Sequence, residues 1–150
     1  MRSRLRRDEA GQFAGIEVLP FGLLVFVVGV LLVANAWAVI DAKMAVVSAA
    51  REATRAYVES PPDSDPVARA EAAARSAMEG AGRDPSRLTL TPLEADFSRC
   101  GPVRFEASYP VPLLTLPFVG GYGERFTVRA RHGEIVDPYR SGVPRGSGRC

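Results

Sequence analysis

The sequence predicts an α+β protein with one transmembrane helix near its N-terminus. Residues 18–40 form 23 consecutive positions without a charge. At 1.5 Å per residue they give roughly 35 Å of helix, enough to cross a hydrocarbon core of about 30 Å. Residues 41–60 contain no helix breaker, and from Arg87 onward apolar residues recur at every second position. These observations predict a transmembrane helix extended outward as an amphipathic helix, a second short helix and a small three-stranded antiparallel sheet.

The charges on either side of the apolar segment predict its orientation. Basic residues resist translocation, and the first seven positions contain Arg2, Arg4, Arg6 and Arg7. We therefore expect residues 1–17 to be a basic cytoplasmic head or leader and residues 18–40 to span the cytoplasmic membrane once. The N-terminus then lies inside, residues 41–140 form an extracytoplasmic domain, and residues 141–150, which lack apolar periodicity, form a disordered tail.

Two helices are expected to cover the sheet. The first is the outward extension of the span, and Pro61-Pro62 ends it. One side of this helix carries the residues predicted to pack on the sheet, namely Val46, Val47, Ala50, Ala53, Thr54, Tyr57 and Val58. A second helix is predicted from about Pro66 to Glu79, with Asp65 as its N-cap and Gly80 at its end.

Three segments alternate between apolar and polar residues and are predicted to be half-buried strands. Their apolar positions are Leu88 and Leu90, then Val103, Phe105, Ala107 and Tyr109, then Phe126, Val128 and Ala130. Residues 109–121, YPVPLLTLPFVGG, are too rich in proline for a regular strand and too apolar for an ordinary loop. They form either a lid over the core or a patch for the membrane surface or a partner subunit.

The only two cysteines, Cys100 and Cys150, are expected in a compartment that permits disulfides. A bridge between them would tie the tail to the domain. Because Cys150 follows a segment rich in Gly, Pro and Arg, an unpaired thiol is the open alternative.

The sequence does not predict an enzyme. The single histidine, His132, has no nucleophile motif beside it, and we interpret it as a solvated turn residue near a strand end. Two cysteines 50 positions apart and one histidine do not form a zinc site. Charges beyond the span are mixed in sign, which argues against a nucleic-acid partner. We expect no cofactor, metal or small-molecule substrate.

Membrane lipid is one expected partner, and the composition of the span suggests another. Gly22, Gly29 and Ala36 recur every seven residues and place small side chains along one side of the helix. Small residues let transmembrane helices approach closely. Asn35 offers a hydrogen bond between helices, and Trp37 is expected near the outer interface. The alternative is that Gly and Ala are simply frequent in spans.

Glu17 directly precedes the apolar run, where it is either an interfacial carboxylate or part of a processing site. A basic leader, then Gly11-Gln12, then Glu17 and a long apolar helix follow the outline of a type IV-like prepilin. Three further segments belong to the same pattern, namely AAREATRAYVE at 49–59, VRFEASYPVPLL at 103–114 and FTVRARHGEIV at 126–136. In these features the chain resembles the TadE-like proteins of the tight-adherence (Flp-type) pilus assembly system.

This resemblance implies a membrane-anchored minor pilin, pseudopilin or assembly subunit of the bacterial cell envelope. Its implied partners are other subunits of an Flp-type pilus or related secretion system, contacted through the transmembrane helix and the outer domain. It also implies cleavage after Gly11, with Glu17 acting in assembly. Glu17 is the sixth residue after that cut, whereas prepilins usually place Glu at the fifth. An uncleaved anchored subunit therefore stays an alternative.

Two further classes of function stay open. The triplets at 34–36 and 36–38 both fit the A-x-A pattern of signal peptidase sites, so cleavage near Ala36 or Ala38 would release a small secreted binding domain. An anchored accessory subunit of another envelope complex would share the same architecture.

Overall fold

The structure, a computed structural model, describes residues 18–112, 126–146 and 150. The chain forms helix α1 (Val18–Val58), helix α2 (Pro66–Gly80), a 3-10 turn (Pro85–Arg87) and strands β1 (Thr89–Ala95), β2 (Pro102–Val111) and β3 (Phe126–Ile135). This confirms the predicted α+β fold with its long apolar helix, second helix and three-stranded antiparallel sheet. The basic head and most of the apolar segment 109–121 lie outside the described residues.

The chain divides into two compact units, and the boundary within α1 lies after Trp37. The part of α1 before this boundary is uncharged, and its large apolar side chains are exposed. The most apolar 18-residue window of α1 has a mean hydropathy of 2.7. The helix is therefore long and apolar enough to cross a membrane.

The part of α1 beyond Trp37 belongs to the second unit and buries one face in its core. That face is rich in small residues. Its buried members are Ala42, Ala45, Val46, Ala49, Ala50, Ala53, Thr54 and Tyr57. Val47, predicted on this face, is 39% exposed. The prediction for Val47 is wrong because the buried face is centred on the alanines rather than on the two valines.

Helix α2 begins where the sequence predicts. The Asp65 carboxylate accepts hydrogen bonds from the backbone N–H groups of Val67 (2.9 Å) and Ala68 (3.2 Å), and Pro66 occupies the first turn. These contacts satisfy N–H groups that have no partner within the helix. Ala70, Ala74 and Met78 are its buried residues, at the i, i+4, i+8 spacing of one helical face.

Strand β2 is the centre of the sheet, with β1 and β3 paired antiparallel on either side. Its alternate residues are buried, namely Val103, Phe105, Ala107, Tyr109 and Val111. On β3, Val128 and Ala130 are buried as predicted, but Phe126, the first residue of the strand, is 50% exposed. Strand β1 is less buried than predicted: within it only Leu90 is partly covered, and its pairing shifts between Pro92 and Glu94.

The tail after Ser141 contradicts the prediction of disorder through residue 146. Val143 is buried, the Arg99 N–H donates to the Pro144 carbonyl at 2.9 Å, and Gly142 has φ +79° beside Pro62. One buried valine and backbone hydrogen bonds hold this segment in place. Its sequence therefore has no apolar periodicity from which its order could be predicted. Residues 147–149 lie outside the description.

Candidate membrane anchor and assembly surfaces

The small-residue stripe lies on an open helix surface. Apart from the neighbouring backbone of its own helix, a Cβ added to Gly22 or Gly29 would meet no atom of the described residues within 4 Å. Seven residues advance an α-helix by almost two full turns, so Ala36 continues the same side. A larger side chain at Gly29 would therefore disturb no neighbour within the described part of this chain.

Asn35 and Trp37 occupy the end of the predicted span. The Asn35 side-chain amide donates to the Leu31 carbonyl within α1 at 3.0 Å. Trp37 is 72% exposed, which suits an indole at an interface between lipid and water. The amide contact lies within one helix, whereas the sequence suggested a bond between helices.

Helix α1 continues without interruption through the candidate signal peptidase sites. Ala36 and Ala38 are both helical, Ala38 and Val39 pack against the core of the second unit, and Ala42 is fully buried. Residues directly after the candidate cut thus contribute to the folded domain. After a cut at either site, the N-terminus of the released domain would be the first turn of this packed helix.

One end of the domain lies where α1 leaves the predicted span. Asp41 forms an ion pair with Arg83, and the Lys43 ammonium donates to the Arg129 carbonyl. The Arg87 guanidinium donates to the Pro110 carbonyl at 3.0 Å. Lys43 on α1 and Arg87 in the 3-10 turn therefore each bind a backbone carbonyl of the sheet at this end. Sequence spacing carried no signal of these contacts, because the residues in each of them are far apart in the chain.

The other end of the domain holds the disulfide. Cys100 and Cys150 are bonded, with their Cα atoms 5.3 Å apart; this is one of the two alternatives that the sequence left open. Cys100 has φ 62°, a left-handed conformation that costs energy for a non-glycine residue. The Arg140 guanidinium donates to the Ser60 carbonyl at 2.5 Å. The disulfide and this hydrogen bond both fasten the C-terminal segment to the end of the domain remote from Lys43.

A glycine permits the close packing beside the disulfide. A Cβ on Gly146 would collide with the Arg99 carbonyl and would lie 2.5 Å from the Ser98 Oγ. The Ser98 hydroxyl is buried and has no hydrogen-bond partner among the described residues. The tail thus approaches the 98–101 turn more closely than any other residue type would allow.

His132 lies within strand β3 rather than in a turn, so its predicted placement is wrong. Its Nε2 lies 3.2 Å from the Glu134 carboxylate, and its side chain is one-third exposed. Residues 132 and 134 are next neighbours on one face of a strand, which accounts for the contact. Among the described residues, no group of three or more His, Cys, Asp or Glu side chains could hold a metal ion.

Tyr57 joins α1 to the sheet. Its hydroxyl donates to the Ala95 carbonyl at 2.8 Å, and its ring makes edge contacts with Phe97 and Phe105 at centroid distances of 5.6 and 5.4 Å. Burial raises the pKa of the Tyr57 phenol, because the charged form is poorly solvated there. These contacts make Tyr57 a structural residue of the core.

These observations define a protein whose N-terminal apolar helix continues directly into the core of an α+β domain. Compared with known proteins, the chain matches no family model, no curated protein and no solved structure at a significant level. Gly11, Gln12 and Glu17, on which the processing hypothesis depends, lie outside the described residues. The TadE-like resemblance therefore continues to depend on the sequence motifs alone.

Proposed function

We propose that this chain is a non-enzymatic, membrane-anchored subunit of an Flp-type pilus or related secretion system, with a TadE-like minor pilin or pseudopilin role. Its apolar helix spans the cytoplasmic membrane once, and the domain lies on the outer side. The motifs at 49–59, 103–114 and 126–136 give this proposal its family, and the architecture supports it.

The observation that carries the proposal is the continuity of α1. One 41-residue helix contains both the apolar segment and the face that packs on the sheet. In a subunit built this way, one helix contributes both to the predicted span and to the folded core, with no linker segment between them. A flexible linker between anchor and domain would be the usual arrangement for a merely tethered binding module.

The disulfide favours placing the domain outside the cytoplasm. Disulfides persist in oxidising compartments and are rare in the cytosol, and Cys100–Cys150 closes 50 residues of separation. With the basic residues at the N-terminus kept inside, the two features agree on one topology. This agreement supports the proposed localisation without depending on the family resemblance.

The proposal is tested by deleting the gene in its native host and scoring surface filaments. We expect the deletion to abolish or sharply reduce filaments and the intact chain to restore them. Glu17→Ala should fail to restore them, whereas Glu9→Ala, a matched acidic residue in the head, should succeed. Normal filaments in the deletion strain would contradict the proposal and favour an accessory role in another envelope complex.

The mature N-terminus separates the mechanisms that the sequence left open. N-terminal sequencing and intact mass of the chain extracted from membranes distinguish three products. A start at Gln12 supports a processed pilin-like subunit, and an intact head supports a permanently anchored assembly factor. A start at Trp37 or Val39 supports the secreted domain.

A further inference from the structure

The two outer strands of the sheet differ in how well their free edges are protected. A free edge presents unpaired N–H and C=O groups to any extended chain that comes near. On β1, Pro92 has no N–H group, and the pairing with β2 shifts between Pro92 and Glu94. Strand β3 contains no proline, and it pairs with β2 without a shift from Phe126 to Ile135. The edge of β3 is therefore the more regular of the two.

Hydrogen bonds at the end of β3 show which of its backbone groups lie on the free edge. The Val136 N–H donates to the Gly101 carbonyl at 3.1 Å, and the Val136 carbonyl accepts from the Cys100 N–H at 3.0 Å. The backbone groups of Val136 thus point toward the segment that leads into β2. Because this direction alternates along an antiparallel strand, every second residue of β3 points away from β2. These outward residues are Thr127, Arg129, Arg131, Gly133 and Ile135, and all of them are exposed.

The pairing on the other side of β2 agrees with this assignment. The Pro102 carbonyl, opposite Ile135, accepts from the Asp96 N–H at 3.2 Å on the β1 side. Since β2 alternates too, Phe105 faces β3, and its partner Pro92 faces the open side of β1. Proline at that position removes a donor from the open edge rather than from the ladder.

Most of the β3 edge has no hydrogen-bond partner among the described residues. The Lys43 ammonium donates to the outward carbonyl of Arg129. Beyond it, from Arg131 to Ile135, no described group bonds to an outward N–H or carbonyl. This part of β3 can therefore accept a further strand.

The ionisable side chains of the outward residues are both arginines. Arg131 binds Glu106 on β2 at 2.5 Å, and Arg129 forms no ion pair among the described residues. A strand added at this edge would bring its own side chains within about 5 Å of these two. Carboxylates suit such positions, because opposite charges across a ladder stabilise it.

A second copy of β3 suits this edge poorly. In the antiparallel registers with the greatest overlap, Arg131 of one copy lies opposite either Arg129 or Arg131 of the other. Like charges that are directly opposite destabilise a sheet. The charges thus favour a different chain with acidic side chains.

We propose that the free edge of β3 binds an extended, acidic segment of another protein as a fourth strand of the sheet. Backbone hydrogen bonds to the outward residues give the affinity, and alternate carboxylates facing Arg129 and Arg131 give the specificity. The inference concerns the folded domain and does not depend on the pilus role. The filament assay and the tests below can therefore fail independently.

Amide exchange of the full chain in detergent micelles, followed by NMR, tests the edge directly. The probe is a soluble synthetic peptide in which Glu and Thr alternate. Without peptide, the outward amides of Arg131, Gly133 and Ile135 should exchange rapidly. Saturating peptide should slow them at least about fivefold, because they become hydrogen-bonded. The outward amide of Leu90 on β1 is the control and should not change.

Fluorescence anisotropy of the labelled peptide at low salt separates backbone pairing from charge. R131Q and R131P both remove the guanidinium, but only R131P removes the outward N–H. We expect R131Q to bind the peptide more weakly than the wild type does. R131P should bind at least about threefold more weakly than R131Q. A matched peptide of alternating Gln and Thr should bind the wild type more weakly than the Glu peptide.

Slow exchange of the outward amides in the free chain would show that the edge is already covered and would overturn the proposal. Equal affinities of R131P and R131Q, or of the two peptides, would also overturn it. So would protection that rises with protein concentration alone, which would assign the edge to a second copy. If R131P does not fold, exchange at Gly133 and Ile135 in the wild type decides, and no slowing under saturating peptide would overturn the proposal.

Discussion

Two consecutive valines on α1 experience different environments. Val46 is fully buried, whereas Val47 is 39% exposed. A charge at position 46 would have to enter the interface between α1 and the sheet, but a charge at position 47 reaches water. This pair therefore provides a test of the packing with its control beside it.

We expect Val46→Asp to destabilise the domain by about 3 kcal/mol or more, since it buries a carboxylate without a partner. Val47→Asp should change the free energy of unfolding by less than about 1 kcal/mol. Thermal unfolding of the full chain in detergent, followed by the circular dichroism of its tyrosines, measures both. Equal melting temperatures for the two variants would show that this face of α1 does not pack on the sheet.

Tyr57 makes the stability of the domain depend on pH in the alkaline range. Its pKa is raised above the usual value of 10 by burial first, and then by the charges of Asp96 and Asp65. A raised folded-state pKa contributes stability that is complete below the unfolded pKa and is lost as pH rises through the folded pKa. The domain should therefore weaken as the pH rises above about 10.

Tyr57→Phe tests this dependence. The variant loses the hydrogen bond to Ala95, so it should be less stable than the wild type by about 1 kcal/mol at pH 8. The difference should shrink between pH 10 and 12. Tyr139→Phe, at a residue that is 92% exposed, is the control and should follow the wild type at every pH. A gap between Tyr57→Phe and wild type that is constant with pH would contradict the assignment to Tyr57.

At the scale of elements, α2 depends on its cap and the tail depends on its disulfide. Asp65 supplies acceptors for two N–H groups at the start of α2. Among the described residues of the tail, Val143 is the single buried apolar one, and Cys150 forms a covalent bond. Neither element has a wide apolar face, so the cap of α2 and the disulfide of the tail each contribute a large share of that element's stability.

Asp65→Ala should lower the free energy of unfolding by about 1 kcal/mol, the usual effect of removing an N-cap. Asp63→Ala is the matched control, because Asp63 lies in the same linker and makes no described side-chain hydrogen bond. Urea unfolding of both variants measures the difference. Similar midpoints would mean that the cap does not stabilise α2.

Reduction of the disulfide should lower the free energy of unfolding by up to about 4 kcal/mol, the loop-entropy value for a closed loop of about 50 residues. The double variant C100S/C150S should unfold like the reduced wild type, and reductant should not affect it further. Hydrogen exchange should increase around Val143 and Pro144 in both. An unchanged melting temperature after reduction would show that the bridge does not hold the tail in place.

At the scale of the whole molecule, the open stripe on α1 provides a surface for association in the membrane. Among the described residues, none comes within 4 Å of a Cβ added at Gly22 or Gly29, so substitution there tests association with a partner. Gly29→Leu should reduce crosslinking of the chain in native membranes several-fold if helices pack along this stripe.

Val27→Leu is the control for this experiment, since it lies about 160° around the helix from Gly29 and adds only one methylene. Its crosslinking should match the wild type. Equal crosslinking of Gly29→Leu and Val27→Leu would exclude the stripe as the packing surface.

Periodic patterns in the sequence were sufficient for the elements of the fold. An uncharged run longer than the bilayer core predicts the apolar helix, and alternation around Phe105 predicts the central strand. Asp65-Pro66 predicts the start of α2 because capping is a local interaction between neighbouring residues. Each of these features depends on residues that are close in the chain.

Only the tertiary structure decided the features that join distant residues. Burial of Val46 rather than Val47 depends on where the sheet meets α1, and the order of residues 141–146 depends on hydrogen bonds to the 99–101 turn. The Asp41–Arg83 ion pair and the contact of Lys43 with the Arg129 carbonyl join separate elements, so no spacing along the chain relates these residues. Sequence by itself determined the local conformation of this protein, whereas its surfaces were decided by packing, because packing brings together residues that are far apart in the chain.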